Sequence, residues 1–482
     1  MNISDFILHF TRFFKNSPNN DQINALNELE HFINNHDEKI FILNGYAGTG
    51  KTSLVAALVN MIEHFGINCM MLAPTGRAAK VLAAYANHSA FTIHKIIFRQ
   101  SGIELNHSFS VSFNKMKNVI FVIDEASMIN NSENMNSLTD GVLDSLMDFV
   151  FQSDNGCKIL FVGDNAQLPP VGQNESPALN PNYYKAKGLK VRTASLKTVV
   201  RQVSLSGILE NATSIRMIIE NALFNELPKI KFNQFPDVIN LKGNELIDTL
   251  TMCYDHDGME ETMVVCRSNK TANIYNNGIR NTILWRESEL ESGELVMIAK
   301  NNYFWTQTNI DEMGEDEKIL TKQIDFIANG DVAVIDRVRN HRELYGFRFA
   351  DCSLHFPDYD DFEMEATVIL DTLQAEAPAL NNTQQENLFN RIMEYYMDIP
   401  NKKQRTDKIK QDPYFNALQI KYAYAVTCHK AQGGQWKNVF VDQGYIPDDT
   451  DMKDYCRWLY TAITRAKNKL FLVNWKQNQT EP

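Results

Sequence analysis

The octapeptide Gly45-Tyr-Ala-Gly-Thr-Gly-Lys51-Thr52 follows an apolar run, Phe41-Ile-Leu43, and precedes a stretch in which Leu54, Leu58, Ile62 and Phe65 recur three or four residues apart. It fits G-x-x-x-x-G-K-[ST] in the context where that pattern has a mechanism, a strand turning sharply into a helix. The glycines let backbone N–H groups wrap phosphate oxygens, and the helix N-terminus adds partial positive charge. Gly45, Ala47, Gly48, Thr49, Gly50, Lys51, Thr52 and Ser53 are therefore the candidate cradle for ATP. Lys51 is placed to reach the β- and γ-phosphates, and Thr52 to set its hydroxyl on Mg2+.

A P-loop demands a parallel sheet around it, and the flanking sequence supplies one. Cys69-Met-Met-Leu72, Val119-Ile-Phe-Val-Ile123 and Ile159-Leu-Phe-Val162 are short continuous apolar runs, the pattern of strands buried on both faces. They predict an α/β domain over 1–198. A polar stretch at 99–117 with short alternating segments predicts a β-hairpin inserted before the third strand, at about 96–117. Strand–helix–strand patterning restarts with Met263-Val-Val-Cys266, a helix through 270–283, and Leu295-Val-Met-Ile298. It resumes at Ala423-Tyr-Ala-Val426, Asn438-Val-Phe-Val441 and Leu470-Phe-Leu-Val473. Residues 199–300 and 416–482 thus read as a second α/β domain split by an insertion at 301–415. Asp331-Val-Ala-Val-Ile335, Phe347-Arg-Phe349 and Ala366-Thr-Val-Ile-Leu370 predict a small barrel there, followed by a helix carrying Leu388, Ile392 and Tyr396 on one face.

Asp124-Glu125 closes the run Val119–Ile123, placing two carboxylates at the C-terminal end of a parallel strand, where ligands of such sheets bind. Beside a P-loop, Asp124 is suited to hold Mg2+ and Glu125 to orient and deprotonate an attacking water. Gln167 ends the next strand, where its amide could sense a γ-phosphate. Hydrolysis also needs positive charge on the transition state. Arg201 and Arg465 are the candidates, provided the second domain closes over the nucleotide.

The seven cysteines among 482 residues lie far apart, with no CxxC pair, which excludes a zinc site by spacing and fits a reducing, cytoplasmic location. No run of 18 apolar residues occurs, so no membrane span is expected.

The ordered series of motifs resembles that of superfamily 1 helicases, within them the RecD-like and Dda-like group that moves 5′ to 3′. Asn20-Asp-Gln22 resembles the adenine-reading Q motif, which makes Gln22 a nucleotide contact. After the P-loop come Ala73-Pro-Thr-Gly-Arg-Ala-Ala79, Thr92-Ile-His94-Lys95, Asp124-Glu-Ala-Ser-Met128 and Gly163-Asp-Asn-Ala-Gln-Leu-Pro-Pro170. Arg201-Gln202, Thr427-Cys-His-Lys-Ala-Gln-Gly-Gly434 and Tyr460–Lys467 complete it. The resemblance implies two RecA-like motor domains with ATP between them, and a Src-homology-3-like barrel with helices inserted in the second. It carries nucleic-acid contacts onto Pro74, Thr75, Thr92, His94, Thr427, His429 and Lys430, short donors and turns that hold phosphates without reading bases. The hairpin takes the place of a strand-separating pin, with Phe98, Phe109 and Phe113 as stacking candidates. Gln435 stands where the family often has an acid; it can still hydrogen-bond a ribose hydroxyl, without charge.

The expected activity is a monomeric ATP-driven motor on single-stranded DNA and single/double-strand junctions. An RNA-directed helicase and a nucleotide-gated regulator are the alternatives. The net charge of −12 excludes a broad basic coat. Its distribution matters more: residues 301–415 carry 12 Lys+Arg against 22 Asp+Glu, whereas the other 367 carry 35 against 37. Asp311–Glu317 and the cluster Asp358, Asp360, Asp361 and Glu363 are expected to face solvent or a partner protein, leaving Arg337, Arg339 and Arg342 as the insertion's DNA-touching candidates.

Overall fold

The computed structural model describes residues 3–100, 109–131, 141–152, 155–200, 206–306 and 326–481. Six parallel strands form the first sheet, in spatial order Ala90–Thr92, Cys69–Ala73, Ile120–Ile123, Lys158–Gly163, Glu38–Gly45 and Lys190–Leu196. Alternation along its central strand explains the layers: Phe41 and Leu43 enter one apolar cluster, Ile40 and Ile42 the other. Helices Asn20–Asn34 and Lys51–His64 cover the first face, and Val142–Phe151 the second. Strand Lys158–Gly163 runs beside Glu38–Gly45, so residues just past both C-terminal ends meet at the P-loop.

The second sheet is also parallel, ordered Val238–Leu241, Ala466–Val473, Trp436–Asp442, Thr262–Cys266 and Ala425–Thr427. Leu295–Ile298, expected in this sheet, lies elsewhere. It pairs antiparallel with Val332, Ala333 and Val334 on one side and with Ile420, Lys421 and Tyr422 on the other, opening a closed five-stranded barrel. The remaining barrel strands are Val332–Leu344, Phe347–Phe356, Phe362–Ile369 and Leu418–Tyr422. The barrel therefore takes its first and last strands from outside 301–415. A four-residue apolar run fits a parallel sheet or a barrel interior equally, and only pairing decides between them.

One apolar cluster runs from the second sheet through the barrel, including Phe440, Leu472, Ile298, Leu354 and Val368. Where the two join, buried Arg280 donates through Nε and Nη2 to the Glu294 carboxylate (2.6–3.0 Å), and its guanidinium lies 4.3 Å from the Tyr422 ring. Tyr424 Oη donates to the other side of that carboxylate at 3.3 Å. The helix Asn382–Tyr395 packs Leu388 and Ile392 against Phe347 and Phe349 of the barrel.

Before Ile120–Ile123, strands Phe98–Gln100 and Phe109–Val111 pair antiparallel, while 101–108 lie outside the described residues. Among the described residues no helix is long and apolar enough to cross a membrane.

Candidate nucleotide and nucleic-acid sites

The P-loop turns on Gly48 and Gly50, with φ of +77° and +81°. Gly45 has no room for a side chain, because a Cβ there would lie 2.7 Å from the Lys51 stem. Thr49 is fully buried and its hydroxyl donates to the Tyr46 carbonyl at 2.8 Å, bracing the loop from within. Gln22 braces it from outside. Its Oε1 accepts the Asn19 N–H, closing a helix-capping box, and its Nε2 donates to the Thr49 carbonyl at 3.2 Å. The amide expected to read adenine is here a tie between helix and loop. Lys51 folds back: Nζ donates to the Gly45 and Tyr46 carbonyls, the latter at 3.1 Å, and lies 3.9 Å from Asp164. Thr52 is half-buried on the first turn of the helix, and Ser53 is exposed.

Asp124 is buried at its strand's end, with Oδ1 accepting the Glu125 N–H at 2.9 Å. Burial, and then the neighbouring Glu125 charge, push its carboxyl above the ordinary carboxylate range. Glu125 itself has φ +51°, a left-handed conformation that non-glycine residues seldom adopt. Among the described residues no three His, Cys, Asp or Glu side chains form a metal cage. Thr52 and Asp124 instead offer the hard-oxygen pair that suits Mg2+, an ion that keeps waters and takes phosphate oxygens. Gln167 is buried, and its Oε1 has no hydrogen-bond partner.

The second lobe sits directly on this loop through two helices. From Gly207–Glu220, Leu209 abuts Gly48, Arg216 lies 4.7 Å from the Tyr46 ring, and Glu220 accepts the Tyr46 hydroxyl at 2.5 Å. From Met452–Ile463, Tyr460 Oη donates to Asp164 Oδ2 at 2.7 Å and accepts the Ala47 N–H at 2.8 Å. Thr461 Oγ1 accepts the Leu168 N–H at 2.9 Å, and Gln432 Nε2 donates to the Leu168 carbonyl at 2.8 Å. Arg465 is buried one turn later, and its guanidinium is held within its own lobe by the Thr461 and Gly434 carbonyls and the Thr464 hydroxyl. Arg201 lies outside the described residues. Asp164 and Tyr460 were not singled out from sequence. An Asp just past a strand that neighbours the P-loop strand was the available signal for Asp164; for Tyr460 there was none beyond its place in the Arg465 motif.

The nucleic-acid candidates gather along the opposite stretch of the cleft. Pro74 and Thr75 join Cys69–Ala73 to the helix Gly76–Ala86, which Thr75 caps by accepting the Ala78 N–H at 3.3 Å. Thr92 caps Ile93–Ile97 in the same way through Lys95 N–H. From the second lobe, Gly433 faces Thr75 (a Cβ there would lie 3.3 Å from its hydroxyl), and Thr427 leads into Cys428–Ala431 with His429 and Lys430. Burial pushes the His429 imidazole and Lys430 ammonium downward, and Lys430 Nζ is buried without a partner. His94 is the same: its Nε2 is buried and unpartnered, burial takes its pKa down to about 4, and its ring lies 5.4 Å from Phe98 and 6.2 Å from Phe326.

Several expectations need correction. Gln435 is exposed, and its carbonyl accepts Arg77 Nη2 at 3.4 Å beside Trp436; among the described residues it makes no hydrogen bond to the P-loop. Phe98 is half-buried against the first-lobe core, whereas Phe113 is exposed. Arg339 and Arg342 are occupied by Glu365 and Asp351 on the barrel surface, which leaves exposed Arg337. Asp360, Asp361 and Glu363 do face solvent, but the adjoining turn does not: Pro357 accepts Lys80 Nζ, and Tyr359 lies over Gly76. The tract Asp311–Glu317 lies outside the described residues, as does the Phe109 side chain.

The AAA domain family matches residues 18–217, and the UvrD-like helicase C-terminal domain family matches 422–473. The ATP-dependent RecD2 DNA helicase of Deinococcus radiodurans is 29% identical over 36% of this chain and 21% of its own length. The ATP-dependent DNA helicase dda of Enterobacteria phage T4 is 22% identical over 94% of this chain and 98% of its own. By these matches the chain is similar to superfamily 1 helicases of the RecD-like and Dda-like kind. The uncharacterized protein R530 of Acanthamoeba polyphaga mimivirus is 25% identical over 94% of this chain and 99% of its own length. The two family matches cover the P-loop side of the chain and the strands around Thr427 and Arg465.

Proposed function

We propose that this protein hydrolyses ATP with Mg2+ to translocate 5′ to 3′ along single-stranded DNA as a single chain, opening duplex at single/double-strand junctions. The motor units are 1–198 and 199–300 with 416–482, less the strands Leu295–Ile298 and Leu418–Tyr422, which join the inserted Src-homology-3-like barrel and its helices. The observation that carries this reading is that three of the candidate site residues, Gln167 (Oε1), His94 (Nε2) and Lys430 (Nζ), are among the buried side chains whose polar atoms lack a hydrogen-bond partner. A buried unpaired donor or acceptor costs roughly 1–3 kcal/mol, more when charged, and such groups are retained where a ligand completes them. RecD2 and Dda, named as DNA helicases, favour DNA as that ligand.

In this mechanism Lys51 leaves the Gly45 and Tyr46 carbonyls for the phosphates, and Thr52 and Asp124 supply the metal's protein oxygens. Glu125 orients and deprotonates the water. Gln167 senses the γ-phosphate, and Arg465, with Arg201, brings positive charge to the transition state as the lobes close. Thr75, Thr92 and His94 grip the strand from one lobe and Thr427, His429 and Lys430 from the other, and alternating grips give one-way stepping. The exposed Asp360, Asp361 and Glu363 face solvent or a protein partner.

Strand displacement on duplexes with single 5′ or 3′ DNA tails tests this directly. Unwinding from 5′ tails alone is expected; unwinding from 3′ tails alone overturns the polarity. ATPase stimulation by RNA but not by DNA of the same sequence overturns the substrate.

A further inference from the structure

Tyr460 joins three parts of the machine at a single hydroxyl. It belongs to the second lobe, is almost fully buried, and reaches across the cleft to the Ala47 N–H within the P-loop and to the carboxylate of Asp164. Asp164 is itself buried, its other oxygen accepts the Ala166 N–H at 2.9 Å, and its Oδ2, the one that takes the tyrosine proton, lies 3.9 Å from Lys51 Nζ. Behind Tyr460 the helix is tied to the arginine: the Tyr460 carbonyl accepts the Thr464 hydroxyl at 2.8 Å, and that hydroxyl accepts Arg465 Nη2 at 3.1 Å. A path of polar contacts therefore runs Lys51, Asp164, Tyr460, Thr464, Arg465, its first step an ion pair at 3.9 Å and the rest hydrogen bonds.

We propose that Tyr460 is a positioning residue through which occupancy of the P-loop by a nucleoside triphosphate is passed to the helix bearing Arg465. The inference rests on the nucleotide-driven reading above. Lys51 is the group that polyanionic phosphates attract most strongly, and its departure removes the cation beside Asp164. That carboxylate, buried and facing incoming negative charge, keeps the Tyr460 hydroxyl as its remaining neutralising donor outside its own backbone. The tyrosine is suited to this because burial and the Asp164 charge hold its phenol protonated, so it donates in every nucleotide state. A phenylalanine would fill the same space and carry no information about the lysine.

The test uses the full chain, comparing Tyr460→Phe with Asp164→Asn. A non-hydrolysable ATP analogue is added while binding of a fluorescent DNA strand is followed by anisotropy, and steady-state hydrolysis is measured alongside. In Tyr460→Phe the analogue-induced change in strand affinity is expected to shrink about tenfold. The strand-stimulated kcat should fall about tenfold while the KM for ATP moves less than about threefold, since of the cradle only the Ala47 N–H loses a partner and Lys51, Thr52 and the loop glycines are untouched. Asp164→Asn should give the same defect, and the double variant no further loss, because both interrupt one path. Should Tyr460→Phe fail to fold, Asp164→Asn decides alone. Unchanged coupling in either folded variant overturns the inference, as does additive loss in the double variant. A wild-type chain that binds no strand and shows no stimulated hydrolysis instead overturns the DNA-motor reading.

Discussion

The Tyr359 hydroxyl donates at 3.0 Å to the buried carboxylate of Asp331, and the pair closes over Gly76 at the start of the helix that Thr75 caps. A Cβ at position 76 would lie 1.8 Å from Tyr359 Oη and 2.9 Å from Asp331 Oδ1, so the barrel turn rests on bare backbone. Gly76→Ala should therefore force the turn off the helix and destabilise the chain by about 1–3 kcal/mol. Adding Tyr359→Ala should recover part of that loss. Urea denaturation of the single and double variants measures both, and a neutral Gly76→Ala would contradict the packing described.

Asp331 also makes stability depend on pH. Burial, opposed by the Ala328 N–H and Tyr359 hydrogen bonds, takes its carboxyl up to about 7 from an ordinary 3.8. The folded chain then holds a proton that the unfolded chain has released between those values, so this contribution is fully present below about pH 4 and is lost as pH rises to about 7. Asp331→Asn keeps the acceptor and removes the titration. Its melting temperature should exceed the wild type's by about 2–4 °C at pH 8, with a smaller or reversed difference at pH 5.

Lys51→Ala and Glu125→Gln separate binding from chemistry. Lys51→Ala should weaken ATP binding and hydrolysis together. Glu125→Gln should retain nucleotide and lower kcat by about 100-fold or more, because removing a general base costs about 10²–10⁴. Full turnover in Glu125→Gln would remove Glu125 from its assigned role.

The ion pair of Arg280 and Glu294 is almost wholly withdrawn from water, with 5% and 0% of the two side chains exposed. Removing one member leaves the other charged and unpaired. Arg280→Ala is expected to cost about 3–5 kcal/mol, whereas Arg280→Met with Glu294→Leu should cost far less. Chemical denaturation distinguishes the two.

The motor lobes were largely readable because their strands are buried on both faces: Phe41, Val122 and Val162 needed apolar neighbours above and below, and the sequence carries that as continuous runs. Leu295–Ile298 was misassigned for the same reason, since a barrel interior makes the same demand on a short strand. The P-loop and Asp124-Glu125 were legible as local patterns tied to chemistry. The clasp of Tyr460 on Ala47 and Asp164 was not, because it joins residues separated by nearly 300 and 413 positions through tertiary packing alone. The Arg77 contact of the Gln435 carbonyl and the Glu365 partner of Arg339 were not legible, because residue type indicates what a side chain can bond, while its neighbours decide what it does bond.

Only Ala423 and Tyr424 separate the last barrel strand from Ala425–Thr427, and both are pinned, Ala423 N–H to the Leu295 carbonyl and the Tyr424 carbonyl to Val264 N–H. A connection so short and so anchored has almost no slack. In the proposed mechanism, force applied to the barrel by a resisting duplex would reach Thr427, His429 and Lys430 as displacement instead of being absorbed in a hinge. On that reading the barrel is a stiff handle on the proposed strand grip, and its compliance, more than its surface chemistry, should set how much load the motor can work against.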